Sequence, residues 1–179
     1  MTPPPAHSVT SGASDWVRRF IPLLPPAGDV LDLAAGGGRH TQLLLEHGHR
    51  VTALDRDTGP LARFADDERV TILECDLESG DRWPLAGGTF TGIVVTNYLW
   101  RPGLKDIVAN TGPGGLLVYE TFAVGNERFG RPRNPAFLLK PGELLEAVAG
   151  SLRVLAYEDL VVTDPRPAAL QRLCARRET

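Results

Sequence analysis

The sequence is short of the features that would staple it, anchor it or send it to nucleic acid. Two cysteines in 179 residues, Cys75 and Cys174, are too few for a disulfide framework. Both read as small buried apolar side chains. No run approaches the ~18 apolar residues that span a bilayer. The opening MTPPPAHSVTSGAS has neither the basic start nor the apolar stretch of a secretory signal. These absences lead to an expectation of a cytoplasmic chain with no membrane partner. Excess charge of one sign is also missing: 19 Lys and Arg against 22 Asp and Glu leave a net charge of −3, with pI near 5.8. Phosphate binding shows as a basic surface, so this balance argues against a nucleic-acid partner. The four histidines, His7, His40, His47 and His49, lack ligand spacing on any one face, and no metal is expected. His40 reads as a helix-surface side chain.

Glycine and proline are plentiful, at 19 and 15 residues, and they punctuate a regular pattern. Residues 1–12, rich in proline and small polar residues, read as a disordered tail, and residues 13–179 as one domain. DWVRRFIPLLPP has apolar residues at helical spacing and stops at Pro25-Pro26. DVLDLA, HRVTALD, RVTILECD, FTGIVVTN and LLVYETF read as strands. Between them, RHTQLLLEHG, GPLARFADD and RPGLKDIVAN read as helices, the last closed by a Gly-Pro-Gly-Gly turn. Strand–helix alternation implies a parallel sheet with right-handed crossovers. Its near-continuous apolar strands imply helices on both faces. After a long segment, AVGNERFGRPRNPAFLLKP, and a helix, GELLEAVAG, the strands LRVLAYEDLVV and ALQRLCARRE form an antiparallel hairpin at one edge.

Gly36, Gly37 and Gly38 stand between a strand and a helix. Glycine there lets a ligand approach backbone, and a helix start offers free N–H groups and partial positive charge. Two ligands compete: the pyrophosphate of a dinucleotide and the amino-acid part of S-adenosylmethionine. The dinucleotide fingerprint G-x-G-x-x-G fits poorly, because its third glycine falls on Thr41. Asp32, four residues before Gly36, would repel a pyrophosphate and attract an ammonium. Asp55, ending the second strand, can accept ribose hydroxyls or cap the next helix. Asp76 ends the third strand, where it could accept from the adenine amino group while Leu77 packs on the ring.

VLDLAAGGGRHT, with VTALDRD, ILECDLE and IVVTNYLWR, resembles the class I S-adenosylmethionine-dependent methyltransferases, and most nearly their small tellurite-resistance-type branch. The resemblance covers residues 13–179. It implies an α/β, Rossmann-like fold with a seven-stranded mixed sheet of order 3-2-1-4-5-7-6, strand 7 antiparallel, and helices on both faces. It also implies S-adenosylmethionine as cofactor and S-adenosylhomocysteine as product. A monomer or homodimer is expected. By the same resemblance Asp32, Ala34, Gly36 and Gly38 hold the methionine part, Asp55 the ribose, and Asp76 with Leu77 the adenine. Arg56 and Asn97 complete the implied cofactor set. Ala34 stands where the family's turn has its first glycine.

The acceptor is expected beyond the fourth and fifth strands. TNYLWR lacks the Pro-Pro-aromatic run of enzymes that methylate adenine or glutamine nitrogens. Tyr98 and Trp100 could wall an acceptor or belong to the core, and Arg101 follows them. Glu120, ending the fifth strand, is the best-placed base, with Tyr98 the other catalytic candidate and Tyr119 facing inward. In the long segment Asn126, Arg131 and Asn134, with Arg128 and Arg133, could select an anionic or polar acceptor, and Phe129 and Phe137 suggest that it packs down. The leading function is methyl transfer to a small molecule. The alternatives are an RNA or protein methyltransferase and a non-catalytic regulator that binds S-adenosylmethionine.

Overall fold

A computed structural model describes residues 12–80 and 83–179. All but the last residue of the expected tail lies outside the described residues. Seven strands form one sheet: β1 (Asp29–Leu33), β2 (Arg50–Asp55), β3 (Val70–Glu74), β4 (Phe90–Thr96), β5 (Thr111–Phe122), β6 (Arg153–Val162) and β7 (Ala168–Arg176). Their order is β3-β2-β1-β4-β5-β7-β6. The first five are parallel, and β7 lies antiparallel to both β5 and β6. This is the order that the family resemblance implies.

Side-chain alternation along each strand divides the core in two. On one face Val30, Val51, Ala53, Val94 and Val118 meet Trp16, Val17 and Phe20 of α1 (Asp15–Phe20) and Leu43 and Leu44 of α2 (Arg39–Glu46). On the other, Leu31, Leu33, Ile93, Val95, Leu117 and Tyr119 meet Ile107 and Val108 of α3 (Leu104–Asn110) and Leu144 and Val148 of α4 (Glu143–Val148). Covering both faces is what makes GIVV nearly all apolar. The Ser14 hydroxyl caps α1 by accepting from the N–H groups of Trp16 and Val17. Among the described residues no helix is long and apolar enough to cross a membrane.

The structure departs from the sequence reading in several places. Residues Gly59–Phe64 form 3-10 turns and no α-helix; the Leu61 and Ala65 N–H groups close on the carbonyls three residues back, Thr58 and Ala62. The Gly-Pro-Gly-Gly stretch belongs to β5, which begins at Thr111 opposite Phe90 and shifts register before Gly92. The long segment contains two 3-10 turns, Asn126–Arg128 and Pro135–Phe137. Cys174 is fully buried, which pushes its thiol up to about 12, but Cys75 is only half-buried.

Candidate functional site

Parallel register brings the carboxyl ends of β1, β2, β3, β4 and β5 to one edge: Leu33 lies beside Leu54 and Val95, Asp55 beside Glu74, and Thr96 beside Glu120. Open α/β sheets bind ligands at this edge. From β1 the chain enters the glycine turn with Ala34, Gly36 and Gly38 at φ +57°, +54° and +71°. The left-handed conformation is free for glycine and strained for Ala34. A Cβ on Gly38 would stand 2.5 Å from the Phe64 ring and 2.9 Å from a Leu61 methyl, so only glycine fits against that wall. A Cβ on Gly36 or Gly37 would meet nothing within 4 Å. The turn is therefore backed by packed side chains on one side and presents bare, open backbone on the other.

Two of the three predicted acids lie at the turn, and the third follows β3. Asp55 accepts from the Gly36 N–H at 2.7 Å through Oδ2 and from the Asp57 N–H at 3.0 Å through Oδ1. Its carboxylate thus sits against the turn, and the 59–64 segment has Thr58, not Asp55, at its cap position. Asp32 is buried beneath the turn and accepts from the Thr41 hydroxyl at 2.6 Å. Burial raises its carboxyl to about 6, against the pull of bonds from the Thr41 hydroxyl and N–H and the charge of Arg39. Asp76 is exposed and accepts from the Glu78 N–H, with Leu77 buried beside it. Arg56 and Asn97 are exposed, and Asn97 turns the chain after β4 at φ +55°.

The remaining predicted residues divide. Tyr98 is half-buried; burial first, then the charges of Glu78 and Asp76, hold its phenol well above the usual range. Those neighbours put it on the Asp55–Asp76 side of the edge. Trp100 packs against Gly103, whose Cβ would stand 2.4 Å from its ring, and beside Trp83. It is partly buried and packs against the core on the α3–α4 side. Arg101 donates to both carboxylate oxygens of Glu143, at 2.6 and 2.9 Å, and to the carbonyls of Ala136 and Leu138. It ties the β4–α3 connection to the returning leg of the long segment, and its guanidinium is committed there. Asn126 is 1% exposed; its amide donates to the Pro132 carbonyl and accepts from the Ala169 N–H. Arg131 and Asn134 are exposed, and Asn134 caps the 135–137 turn through Ala136 N–H. Phe129 is exposed, while Phe137 is half-buried.

Glu120 faces the α1 side, opposite in direction to the inward Tyr119. It accepts from Arg172 at 2.5 Å, and Arg172 also reaches Glu158 at 3.2 Å and stacks over Trp16. Glu120, Arg172 and Glu158 are register partners on β5, β7 and β6, so pairing across the sheet makes a ladder that no local pattern announces. His40 corrects the surface reading: it is 2% exposed. Its Nε2 accepts from the Ser14 N–H at 3.1 Å, which leaves Nδ1 with the proton facing Thr96 Oγ1 at 3.3 Å. Burial, helped by Arg39 and Arg18, lowers its pKa to about 3, so the ring is neutral. Among the described residues no three His, Cys, Asp or Glu side chains group as a metal site.

The sequence comparisons agree with this architecture. A profile of the methyltransferase domain family matches residues 30–115. Demethylmenaquinone methyltransferase of Corynebacterium urealyticum is 34% identical over 105 residues, 56% of this chain and 44% of that protein. Ribosomal RNA small subunit methyltransferase A of Thermosynechococcus vestitus is 32% identical over 164 residues, 85% of this chain and 53% of that protein. The chain thus spans about half the length of the curated relatives it matches. The crystal structure of TehB from Haemophilus influenzae superposes with a TM-score of 0.72 at 20% identity, over 95% of this chain and 64% of that one. That of Burkholderia thailandensis 1,6-didemethyltoxoflavin-N1-methyltransferase, with 1,6-didemethyltoxoflavin and S-adenosylhomocysteine bound, gives 0.65 at 24% identity, over 92% and 79%. At such identities the two structures speak for the fold. The strand order and the glycine turn agree with these matches: residues 30–115 match the methyltransferase domain family, and the chain as a whole carries the fold of these solved methyltransferase structures.

Proposed function

We propose that this chain transfers a methyl group from S-adenosylmethionine to a small-molecule nucleophile. The observation that carries the reading is the turn itself: bare backbone at Gly36 and Gly37, bordered by the carboxylate of Asp55 and underlain by that of Asp32. An acid-bordered cradle suits a cationic ligand and repels a pyrophosphate. The residues fit the cofactor. Asp32 would face the ammonium, the unspent lone pairs of Asp55 the ribose hydroxyls, and Asp76, Leu77 and Tyr98 the adenine. When bound, S-adenosylmethionine supplies a methyl group on a sulfonium and leaves as S-adenosylhomocysteine. The chain's own part is to orient the acceptor and exclude water.

The candidate bases are largely committed elsewhere. Glu120 is paired with Arg172, both His40 nitrogens face partners, and the Tyr98 phenol holds its proton. This arrangement supports an acceptor that is already anionic, or a strong nucleophile without deprotonation. Arg131 and Arg133, exposed on the long segment, match an anionic acceptor in charge. One observation favours a second reading, an RNA acceptor: the ribosomal RNA methyltransferase aligns along 85% of the chain.

Calorimetry with S-adenosylmethionine and S-adenosylhomocysteine tests the pocket. A labelled-methyl screen against thiols, selenite, tellurite, phenols, carboxylates and RNA tests the acceptor. Label on a small anion supports the proposal, label on RNA selects the second reading, and binding without transfer to anything indicates a regulator. Arg131→Ala should then weaken use of the identified acceptor while leaving cofactor affinity almost unchanged; equal loss of both counts against the arginine's role.

A further inference from the structure

We infer that Arg63 is a positioning residue that sets the glycine turn to receive the amino-acid end of the cofactor; this rests on the cofactor reading above. Arg63 comes from the 59–64 turns that follow β2, and its Nη2 donates to the carbonyls of Gly37 at 2.9 Å and Gly38 at 3.3 Å. Its guanidinium lies 4.5 Å from the centre of the Phe64 ring, and Phe64 with Leu61 forms the wall against which Gly38 is pressed. The stacked ring fixes the direction of the arginine, and the arginine fixes two successive peptide planes.

The turn is thereby gripped twice by one neighbouring segment. Asp55, at its start, takes the Gly36 N–H, and Arg63 takes the Gly37 and Gly38 carbonyls. Within the turn the Gly38 N–H closes back on the Ala35 carbonyl at 2.9 Å. A planar peptide sets its N–H opposite its carbonyl, so the grip on the Gly37 carbonyl also holds the Gly38 N–H toward Ala35, and together these contacts fix the shape in which the open face of the turn is presented. Three consecutive glycines otherwise sample more conformations than any other tripeptide, and ordering them on ligand binding would lower affinity. On its other side Arg63 is exposed and lines a depression of about 310 Å³ with Gln42, Glu46 and Arg69. Its removal therefore opens no void in the core.

The test uses the full chain and two probes that share the adenosine: S-adenosylhomocysteine, and 5′-methylthioadenosine, which lacks the amino-acid end. Arg63→Met is expected to weaken S-adenosylhomocysteine about tenfold, the scale of a lost charge-assisted hydrogen bond, and to leave methylthioadenosine within about twofold. Arg63→Lys is expected to recover part of the loss. S-adenosylmethionine serves as a charge control: deleting a positive charge alone would tighten binding of the sulfonium, so weaker binding reports geometry. Loss of both adenosine probes in equal measure, or no loss of either, overturns the inference. If wild type binds neither S-adenosylhomocysteine nor S-adenosylmethionine, the cofactor reading itself has failed. Should Arg63→Met not fold, Arg63→Gln, which keeps a donor without the charge, gives the same comparison: selective loss of S-adenosylhomocysteine supports the inference, and equal or no loss overturns it.

Discussion

Asp32 should make cofactor binding pH-dependent in the acid range. Its carboxyl is buried under the glycine turn and sits near a pKa of about 6 in the free protein, mainly through desolvation. An ammonium placed beside it favours the ionised form. If binding requires ionised Asp32, affinity at pH 5 falls by a factor of 1 + 10^(6−5), roughly elevenfold below the plateau. Near pH 8 the plateau is reached. About one proton should be released per ligand bound at pH 5 and almost none at pH 8. Titration calorimetry with S-adenosylhomocysteine between pH 5 and 7.5, in buffers of differing ionisation enthalpy, measures both quantities. Asp32→Asn should bind weakly with a flat profile. Stability has the opposite sense. Because folding raises this pKa from 3.8 to about 6, the group's stabilising contribution is full below the unfolded value and is lost as pH rises through 6. At pH 7.5 the ionised form costs the ligand-free fold on the order of 3 kcal/mol, so Asp32→Asn should raise its Tm. An affinity that does not change across the window, or an Asp32→Asn profile with the wild-type slope, refutes the reasoning.

Two further outcomes follow from the same geometry. Ala34→Gly removes a left-handed alanine and gives back part of the gain in unfolded-chain entropy; the net should be about 0.5–1 kcal/mol of stabilisation, read as a Tm rise of about 1–4 °C by calorimetry, and a lower Tm would show that the strain is absent. Arg172→Met leaves Glu120, whose side chain is 9% exposed, without its cation. It should cost about 2–3 kcal/mol in urea unfolding, with Glu120→Gln restoring most of it in the double variant; an additive double variant would dismiss the ladder as a stabilising unit.

What can be read from the sequence is local and periodic. Apolar runs such as FTGIVVTN declare a doubly covered strand because burial on both faces leaves no place for alternation. GGG between a strand and a helix declares an open turn because only glycine frees the backbone there. Asp55 is placed by counting to the end of its strand, whereas β3 stops at Glu74, two residues short of Asp76. The full strand order comes from a resemblance to a family, since periodicity alone gives strands without neighbours. Residues whose meaning is a long-range partner stay hidden. His40 sits in a helix-like stretch, yet its role comes from Ser14 and Thr96, 26 and 56 positions away. Arg101 and Asn126 carry the composition of a binding loop and are fasteners of backbone. Arg63 gives no signal at all, because nothing in GPLARF specifies which carbonyls its guanidinium will meet 25 and 26 residues upstream. The sequence by itself determined the sheet-forming pattern and the open turn, because hydrophobic period and glycine freedom act within a few residues. Which polar side chains face the ligand edge and which are spent holding the fold was decided only by tertiary structure, because hydrogen bonds and ion pairs are made between strands and loops that only packing brings together.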